Sequence, residues 1–116
     1  MNNLTIAVLL FLIGQTLIWF QTNGQFKWEW FDNNPLILSI VGGTIISYTF
    51  IMGTKFVVEY FGGLLWPGRF LGFALGILTF ALLSWYFMGE GITWKTTVSL
   101  ILSLAIITIQ LFWKVN

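Results

Sequence analysis

The sequence predicts an all-α fold, an integral membrane four-helix bundle that forms a single domain over residues 1–116. Composition is the first observation, since 58% of the residues are hydrophobic and 8% are charged, whereas soluble domains carry roughly a quarter charged residues. A domain of this size has too little interior to hide so much apolar surface from water. The apolar residues also fall into four long runs, and the charged residues lie between these runs or at their edges. The lipid bilayer is therefore the predicted surrounding of the chain.

The four runs that predict the membrane spans are residues 4–20, 36–53, 70–88 and 96–113. A span needs about 20 apolar residues, with a range of about 17–25, and all four runs fall at the short end of that range. Indole rings prefer the headgroup level of a bilayer. Most tryptophans stand at the limits of the runs, namely Trp19, Trp66, Trp85, Trp94 and Trp113. The first run lacks a basic start and a small-residue cleavage site, so we expect it to remain as a helix.

The connections between the runs carry turn signals. The first connection contains the pairs "NG" and "NNP", which favour turns. The second connection is more apolar, so we expect the second helix to continue toward Tyr60 and to end at Gly62 and Gly63. Pro67 and Gly68 are predicted to precede the third helix.

The basic residues predict an orientation in the membrane. Lys55 and Arg69 flank the second connection and Lys114 stands near the C-terminus, whereas Lys27 and Lys95 lie in the first and third connections. The positive-inside rule therefore favours both termini in the cytoplasm by one basic residue, and an antiparallel dimer in which both orientations occur fits the same small difference.

The residue types exclude several classes of site. The chain has no cysteine and no histidine, which excludes disulfides, thiolate metal sites and imidazole acid–base chemistry. The carboxylates lie far apart in the sequence, so no metal site is expected. Because there is no acid–base pair and no cofactor motif, we expect neither an enzyme nor a cofactor. The net charge of +1 is spread thinly and predicts no nucleic-acid partner.

Small residues predict where helices approach each other closely. Gly68, Gly72 and Gly76 are four residues apart and lie on one stripe of the third helix, and Ser99 and Ser103 have the same spacing in the fourth. Helices in lipid associate by close packing, which small residues allow. We therefore predict a helix contact along the glycine stripe. The two serines have no neighbouring base that would activate them as nucleophiles.

The polar groups at mid-depth of the spans are uncharged. Coupled transporters and proton pumps usually keep an ionisable group at this depth. Gln15 must find a hydrogen-bond partner or a wet cavity, and both an interhelical bond and a substrate contact fit its position. We predict that Gln15, Trp19, Tyr48 and Thr79 line a small binding cavity.

Glu90 is the acidic residue between the third and fourth runs, in the segment "FMGEGIT". A carboxylate there accepts backbone N–H groups at the start of the next helix and interacts well with its positive end. We interpret Glu90 as a structural residue of this turn, since a lone acid without a partner is a poor catalyst.

The segment "GILTFALLSWYFMGEGITWKTTVSLILSLAIITIQLFW", residues 76–113, resembles the second half of small multidrug resistance transporters. More broadly it resembles the closing helix pair of the drug/metabolite transporter superfamily. The similarity rests on the small residues Gly72 and Gly76, on the Leu83-Ser84-Trp85 step and on the turn at residues 87–90. The segment "IGQTLIWFQTNGQF" is similar to the first helix of the family. This resemblance implies a drug/metabolite transporter-like bundle, a homodimer and a bacterial inner membrane location.

Two positions depart from the pattern of the small multidrug transporters. That family carries an essential glutamate in its first helix, whereas Phe11 and Leu12 occupy the matching place here. The aromatic residue that lines the pocket of the family falls at about Gly72. Proton-coupled export of cations therefore has no titrating group in this chain, and the resemblance does not imply the antiport mechanism.

Two main hypotheses for the function follow. In the first, the chain is a transporter-like subunit that moves a neutral or amphipathic small molecule as a dimer, because four helices are generally too few to enclose a path. In the second, it is a non-catalytic accessory or structural subunit that docks on other membrane subunits. A pore-forming lysis protein is a third and weaker hypothesis, since the glycine stripe favours ordered packing.

Overall fold

The computed structural model describes residues 2–113, and the regular structure within that range is entirely helical. Four long helices alternate in direction, and a short helix lies in the first connection. They are α1 (Asn3–Asn23), the short α2 (Glu29–Asn33), α3 (Pro35–Tyr60), α4 (Trp66–Met88) and α5 (Trp94–Phe112). Each long helix is long and apolar enough to cross a membrane. The all-α prediction is confirmed, and the architecture is that of a multi-pass membrane protein. Lys114 lies outside the described residues.

The long helices extend beyond the apolar runs that predict them. α1 and α3 continue to Asn23 and Tyr60, because a helix keeps its backbone hydrogen bonds as it leaves the hydrocarbon and its polar side chains then meet headgroups or water. α4 begins at Trp66, so Pro67 and Gly68 lie in its first turn rather than before it. Proline is tolerated there because its missing N–H removes no helical hydrogen bond.

Glycines end α3 and α4. Gly62 takes a left-handed φ of +66°, and the N–H of Gly63 donates to the Val58 carbonyl at 2.9 Å. This pair of features is a Schellman motif, which satisfies the last carbonyls of α3. Gly89 has the same φ of +66° directly after α4. A side chain at either position with positive φ would be strained.

The residue that caps the start of α5 is not Glu90, which is predicted from the sequence to accept backbone N–H groups there. The N-cap residue is Thr93, whose side-chain oxygen accepts the N–H of Thr96 at 3.3 Å. Glu90 is exposed in the third connection and precedes this cap. The short threonine side chain at the N-cap position satisfies an N–H of the first turn directly, so Glu90 is not the residue that caps α5.

α1 is the central helix, because it packs along both α3 and α4, whereas α5 packs mainly on α4. α1 and α3 are antiparallel, and the Asn3 amide donates to the Glu59 carboxylate at 3.5 Å where α1 begins and α3 ends. Three of the long helices contribute to the buried core, which consists of Ala7, Phe11, Val57 and Leu71. Ile107 of α5 packs against the edge of this core.

α3 contains one π-helical stretch, Leu38–Gly42. The amide of Gln21, near the end of α1, donates to the Leu38 carbonyl at 3.0 Å. Gly42 and Gly43 face the same amide. A Cβ added to Gly42 would lie 3.4 Å from the amide nitrogen, and one added to Gly43 would lie 3.8 Å from it. The hydrogen bond therefore ties the end of α1 to the wider turn at the start of α3.

The two ends of the bundle are named for what they contain. The aromatic end holds the first connection, residues 24–34, and the third connection, residues 89–93. The other end holds the second connection, residues 61–65, and the start of α1, and we call it the cleft end because an opening between α3 and α4 begins there at Leu65. Of the described basic residues, Lys55 and Arg69 lie toward the cleft end, while Lys27 and Lys95 lie at the aromatic end.

Candidate binding cleft

A cleft of about 460 Å³ lies between α3 and α4, with α1 as its floor. It forms because α3 and α4 both pack closely on α1 but contact each other much less. The cleft is partly open to the surroundings, and most of its wall is apolar. Its main side chains are Phe11 and Gln15 from α1, Phe50 and Thr54 from α3, and Arg69 and Phe73 from α4.

Gln15 lies on the floor of the cleft. Its Nε2 donates to the Gly72 carbonyl of α4 at 3.1 Å, and the side chain is only partly buried. The structure therefore makes the interhelical bond that one interpretation of Gln15 predicts, and it leaves the same side chain on the cleft surface. Because the acceptor is a backbone carbonyl of α4, the bond links α1 to α4.

The glycine stripe of α4 has three different surroundings. A Cβ on Gly68 would lie 2.5 Å from Cγ1 of Val57, and a Cβ on Gly76 would lie 2.8 Å from the amide nitrogen of Gln15. A Cβ on Gly72 would meet no atom within 4 Å. Gly68 and Gly76 are therefore packing positions within the protomer, whereas Gly72 forms an open notch in the cleft wall.

Arg69 supplies the charge of the cleft. It stands in the first turn of α4, lines the cleft together with Thr54 and Leu65, and is exposed. Gly72, Phe73 and Gly76 follow it at helical spacing on the same face of α4. The cleft therefore has a cationic mouth toward the second connection and an apolar interior.

The predicted cavity residues are not gathered in one place. Gln15 and Trp19 line a second, smaller cavity of about 180 Å³. Tyr48 is 66% exposed on the outer side of α3, along a shallow surface with Ser39 and Ser47. Thr79 is buried within the bundle. Of the four residues, Gln15 alone lines the large cleft.

Trp19 serves a packing role. It is 2% exposed, and its Nε1–H donates to the Ser84 hydroxyl at 3.0 Å, which joins α1 to α4. It belongs to an aromatic cluster of rings from α1, the first connection and α4: Trp19, Phe20, Trp28, Phe31 and Phe87. The Trp19 and Phe87 centroids are 5.5 Å apart, and those of Trp28 and Phe87 are 5.7 Å apart. Such edge and tilted contacts are favourable geometries for aromatic pairs.

The two serines of α5 bond within their own helix. The Ser99 hydroxyl donates to the Lys95 carbonyl at 3.0 Å, and the Ser103 hydroxyl donates to the Ser99 carbonyl at 2.9 Å. Ser103 is buried and Ser99 is exposed. Ser103 therefore lies at a packed position of α5, whereas Ser99 faces outward.

Sequence reasoning did not find the cleft residues other than Gln15 and the glycines. From the sequence, Arg69 serves to predict orientation and Phe11 marks a departure from the resembled family, and no role is predicted for Phe50 or Phe73. One signal was present: Arg69, Gly72, Phe73 and Gly76 follow each other at spacings of three and four, which places a charge, two small residues and a ring on one helix face.

Comparison of the chain with protein-family models, with curated proteins and with solved structures found no match. Within residues 2–113, no group of three histidine, cysteine or acidic residues could hold a metal ion. The cleft is an apolar opening with Gln15 and Thr54 as its neutral polar groups and Arg69 at its mouth.

Proposed function

We propose that the chain is one subunit of a homodimeric, drug/metabolite transporter-like carrier of the bacterial inner membrane, which moves a neutral or amphipathic small molecule. The observation that carries this proposal is the cleft between α3 and α4. Its volume of about 460 Å³ falls within the roughly 300–1,000 Å³ of small-molecule sites, which are mostly apolar with a few polar groups. Gln15 and Thr54 are the neutral polar groups of its wall.

The dimer part of the proposal is supported by α5. Among the long helices it is the least buried in the protomer, and its apolar side chains Ile101 and Leu104 are 58% and 51% exposed. Lipid can cover such a surface, but a second subunit would also complete a bundle that is small for a carrier. The same surface supports the alternative function, an accessory subunit that docks on other membrane chains.

The experiment that tests the proposal is native mass spectrometry of the protein extracted gently from its native membrane. We expect a homodimer. A stoichiometric complex with other chains would instead identify an accessory subunit, and a folded monomer would contradict the carrier proposal.

A matched pair of variants tests whether α5 forms the contact between the two subunits. We expect Ile101→Ala/Leu104→Ala to lower the dimer fraction. The control is Ile37→Ala/Ile40→Ala, which removes two exposed isoleucines at the same spacing from α3 and should leave the dimer fraction unchanged. An equal loss in both variants would mean that α5 is not the specific contact.

A further inference from the structure

The mouth of the cleft carries an uncompensated positive charge. Arg69 lines it and is exposed. Within the described residues, the cleft wall contains no carboxylate, and Thr54 adds a hydroxyl from the α3 side. An arginine guanidinium presents several N–H donors in one plane, which matches the oxygens of a phosphate better than a lysine does.

The position of Arg69 along α4 places it near the membrane surface. Trp66 is the first residue of α4, and its ring stacks on Phe70 with centroids 5.8 Å apart. Tryptophan rings at helix ends mark the headgroup level of a bilayer. Arg69 lies between these two residues in the chain, so we expect its guanidinium at the level of the lipid phosphates.

Below Arg69 the cleft is mostly apolar for about two helical turns, with the Gln15 amide as a neutral polar group beside Gly72 and Gly76. Ile77, the deepest lining residue on α4, lies about 12 Å further along the helix axis at 1.5 Å per residue. Phe11, Phe50 and Phe73 form the wall over this depth. Gly72 leaves open space between them, where a hydrocarbon chain would meet apolar atoms and no steric obstacle.

We infer that this cleft binds an anionic membrane lipid, with the lipid phosphate on Arg69 and an acyl chain along the apolar wall toward Gln15. The inference rests on the proposed function and specifies its ligand as an anionic amphiphile. A lipid can enter sideways because the cleft is open. A free phosphate would use Arg69 but would leave the apolar wall without a partner.

The test uses the full chain in a neutral maltoside detergent. Dioctanoyl phosphatidylglycerol, dioctanoyl phosphatidylcholine and glycerol phosphate are titrated separately, and native mass spectrometry counts the bound molecules. Both lipids offer a phosphate to Arg69, but the choline cation of phosphatidylcholine carries the same charge as Arg69, so we expect the phosphatidylglycerol to bind about 10- to 100-fold more tightly. Equal binding of the two lipids overturns the inference. If glycerol phosphate binds as tightly as phosphatidylglycerol, the acyl chains add nothing to binding, and the inference that the ligand is a lipid is overturned.

The charge is tested by Arg69→Gln, with Lys55→Gln as the matched control. Lys55 is an exposed cation at the same end of the bundle, but it does not line the cleft. We expect Arg69→Gln to lose the preference for phosphatidylglycerol, Arg69→Lys to keep part of it, and Lys55→Gln to keep all of it. An equal loss in Arg69→Gln and Lys55→Gln would reduce the effect to the general charge of this end and would overturn the inference.

The cleft is tested by Gly72→Leu, which fills the notch where a Cβ meets no neighbour within 4 Å. Helix content by circular dichroism checks that the variant is folded. We expect it to weaken both lipids. If it does so while Arg69→Gln changes nothing, the cleft binds an amphiphile and only the anionic headgroup is wrong. If Gly72→Leu changes neither lipid, both the inference and the ligand site of the proposed function are wrong.

Discussion

At the aromatic end, rings from α1, the first connection and α4 fill the space between the helices, and the Trp19–Ser84 hydrogen bond lies among them. At the cleft end, α3 and α4 touch where Gly68 meets Val57 and then separate, which leaves about 460 Å³ unfilled. Both ends are rich in aromatic residues. At the aromatic end the rings contact each other across helices, whereas at the cleft end they line an opening.

This difference teaches how one small bundle can combine rigidity with an open site. The aromatic end holds α1 and α4 together through the buried Trp19 and the half-buried rings around it, and large aromatic side chains supply much of the packing energy of a core. With that end fixed, α3 and α4 can separate beyond the Gly68–Val57 contact while each still packs on α1. Substitutions should therefore change stability mainly at the aromatic end and binding mainly at the cleft end.

The largest expected effect comes from Trp19→Ala. Trp19 is 2% exposed, and truncating a buried tryptophan costs about 3–5 kcal/mol through lost packing and the cavity left behind. The free energy of unfolding in mixed maltoside–dodecyl sulfate micelles measures the loss.

The matched control at the cleft end is Phe73→Ala, which also removes an aromatic ring. Phe73 is 53% exposed, so we expect a change of about 0.5 kcal/mol or less, as for other exposed positions. Similar losses in the two variants would abolish the distinction between a packed end and an open end.

The number and rough position of the membrane helices could be predicted from the sequence, because each apolar run must satisfy its backbone hydrogen bonds within itself. The caps were predicted less well. Glu90 carries the charge that a helix start favours, but Thr93 occupies the N-cap position in space and takes the role. Cap geometry depends on where the helix begins, and composition does not locate that residue closely.

The candidate site was harder to predict than the helices. Gly68, Gly72 and Gly76 have the same spacing, yet only the middle one faces open space. Their surroundings depend on how α3 and α4 diverge over α1, which is a property of three helices together. The spacing of residues within α4 alone therefore does not show which glycine faces open space.

The next effect in size separates two of these glycines. Gly68→Ala places a methyl group against Val57, a fully buried β-branched side chain, and overpacking of this kind costs about 1–3 kcal/mol. Gly72→Ala meets no neighbour, and replacing a helical glycine with alanine favours the helix by up to about 1 kcal/mol. The two variants should therefore shift the free energy of unfolding in opposite directions.

Thermal unfolding of both glycine variants in the same detergent gives the sign directly. A destabilised Gly72→Ala protein would mean that the notch is filled by packing in the assembled protein. An unchanged Gly68→Ala protein would mean that Val57 moves freely, and the contact between α3 and α4 at the cleft end would then be looser than the structure has it.

The smallest effect concerns the hydrogen bond between Trp19 and Ser84 alone. Trp19→Phe keeps a ring in the cluster but removes the N–H donor, and Ser84→Ala removes the acceptor at 3.0 Å. In a double-mutant cycle we expect a coupling energy of about 0.6 kcal/mol, with roughly 1.7 kcal/mol as the upper range for such bonds in membranes. Because this is far below the cost of Trp19→Ala, most of the stability of the aromatic end would come from the ring rather than from its donor. A coupling energy as large as the Trp19→Ala loss would reverse that order and make a polar contact the main link between α1 and α4.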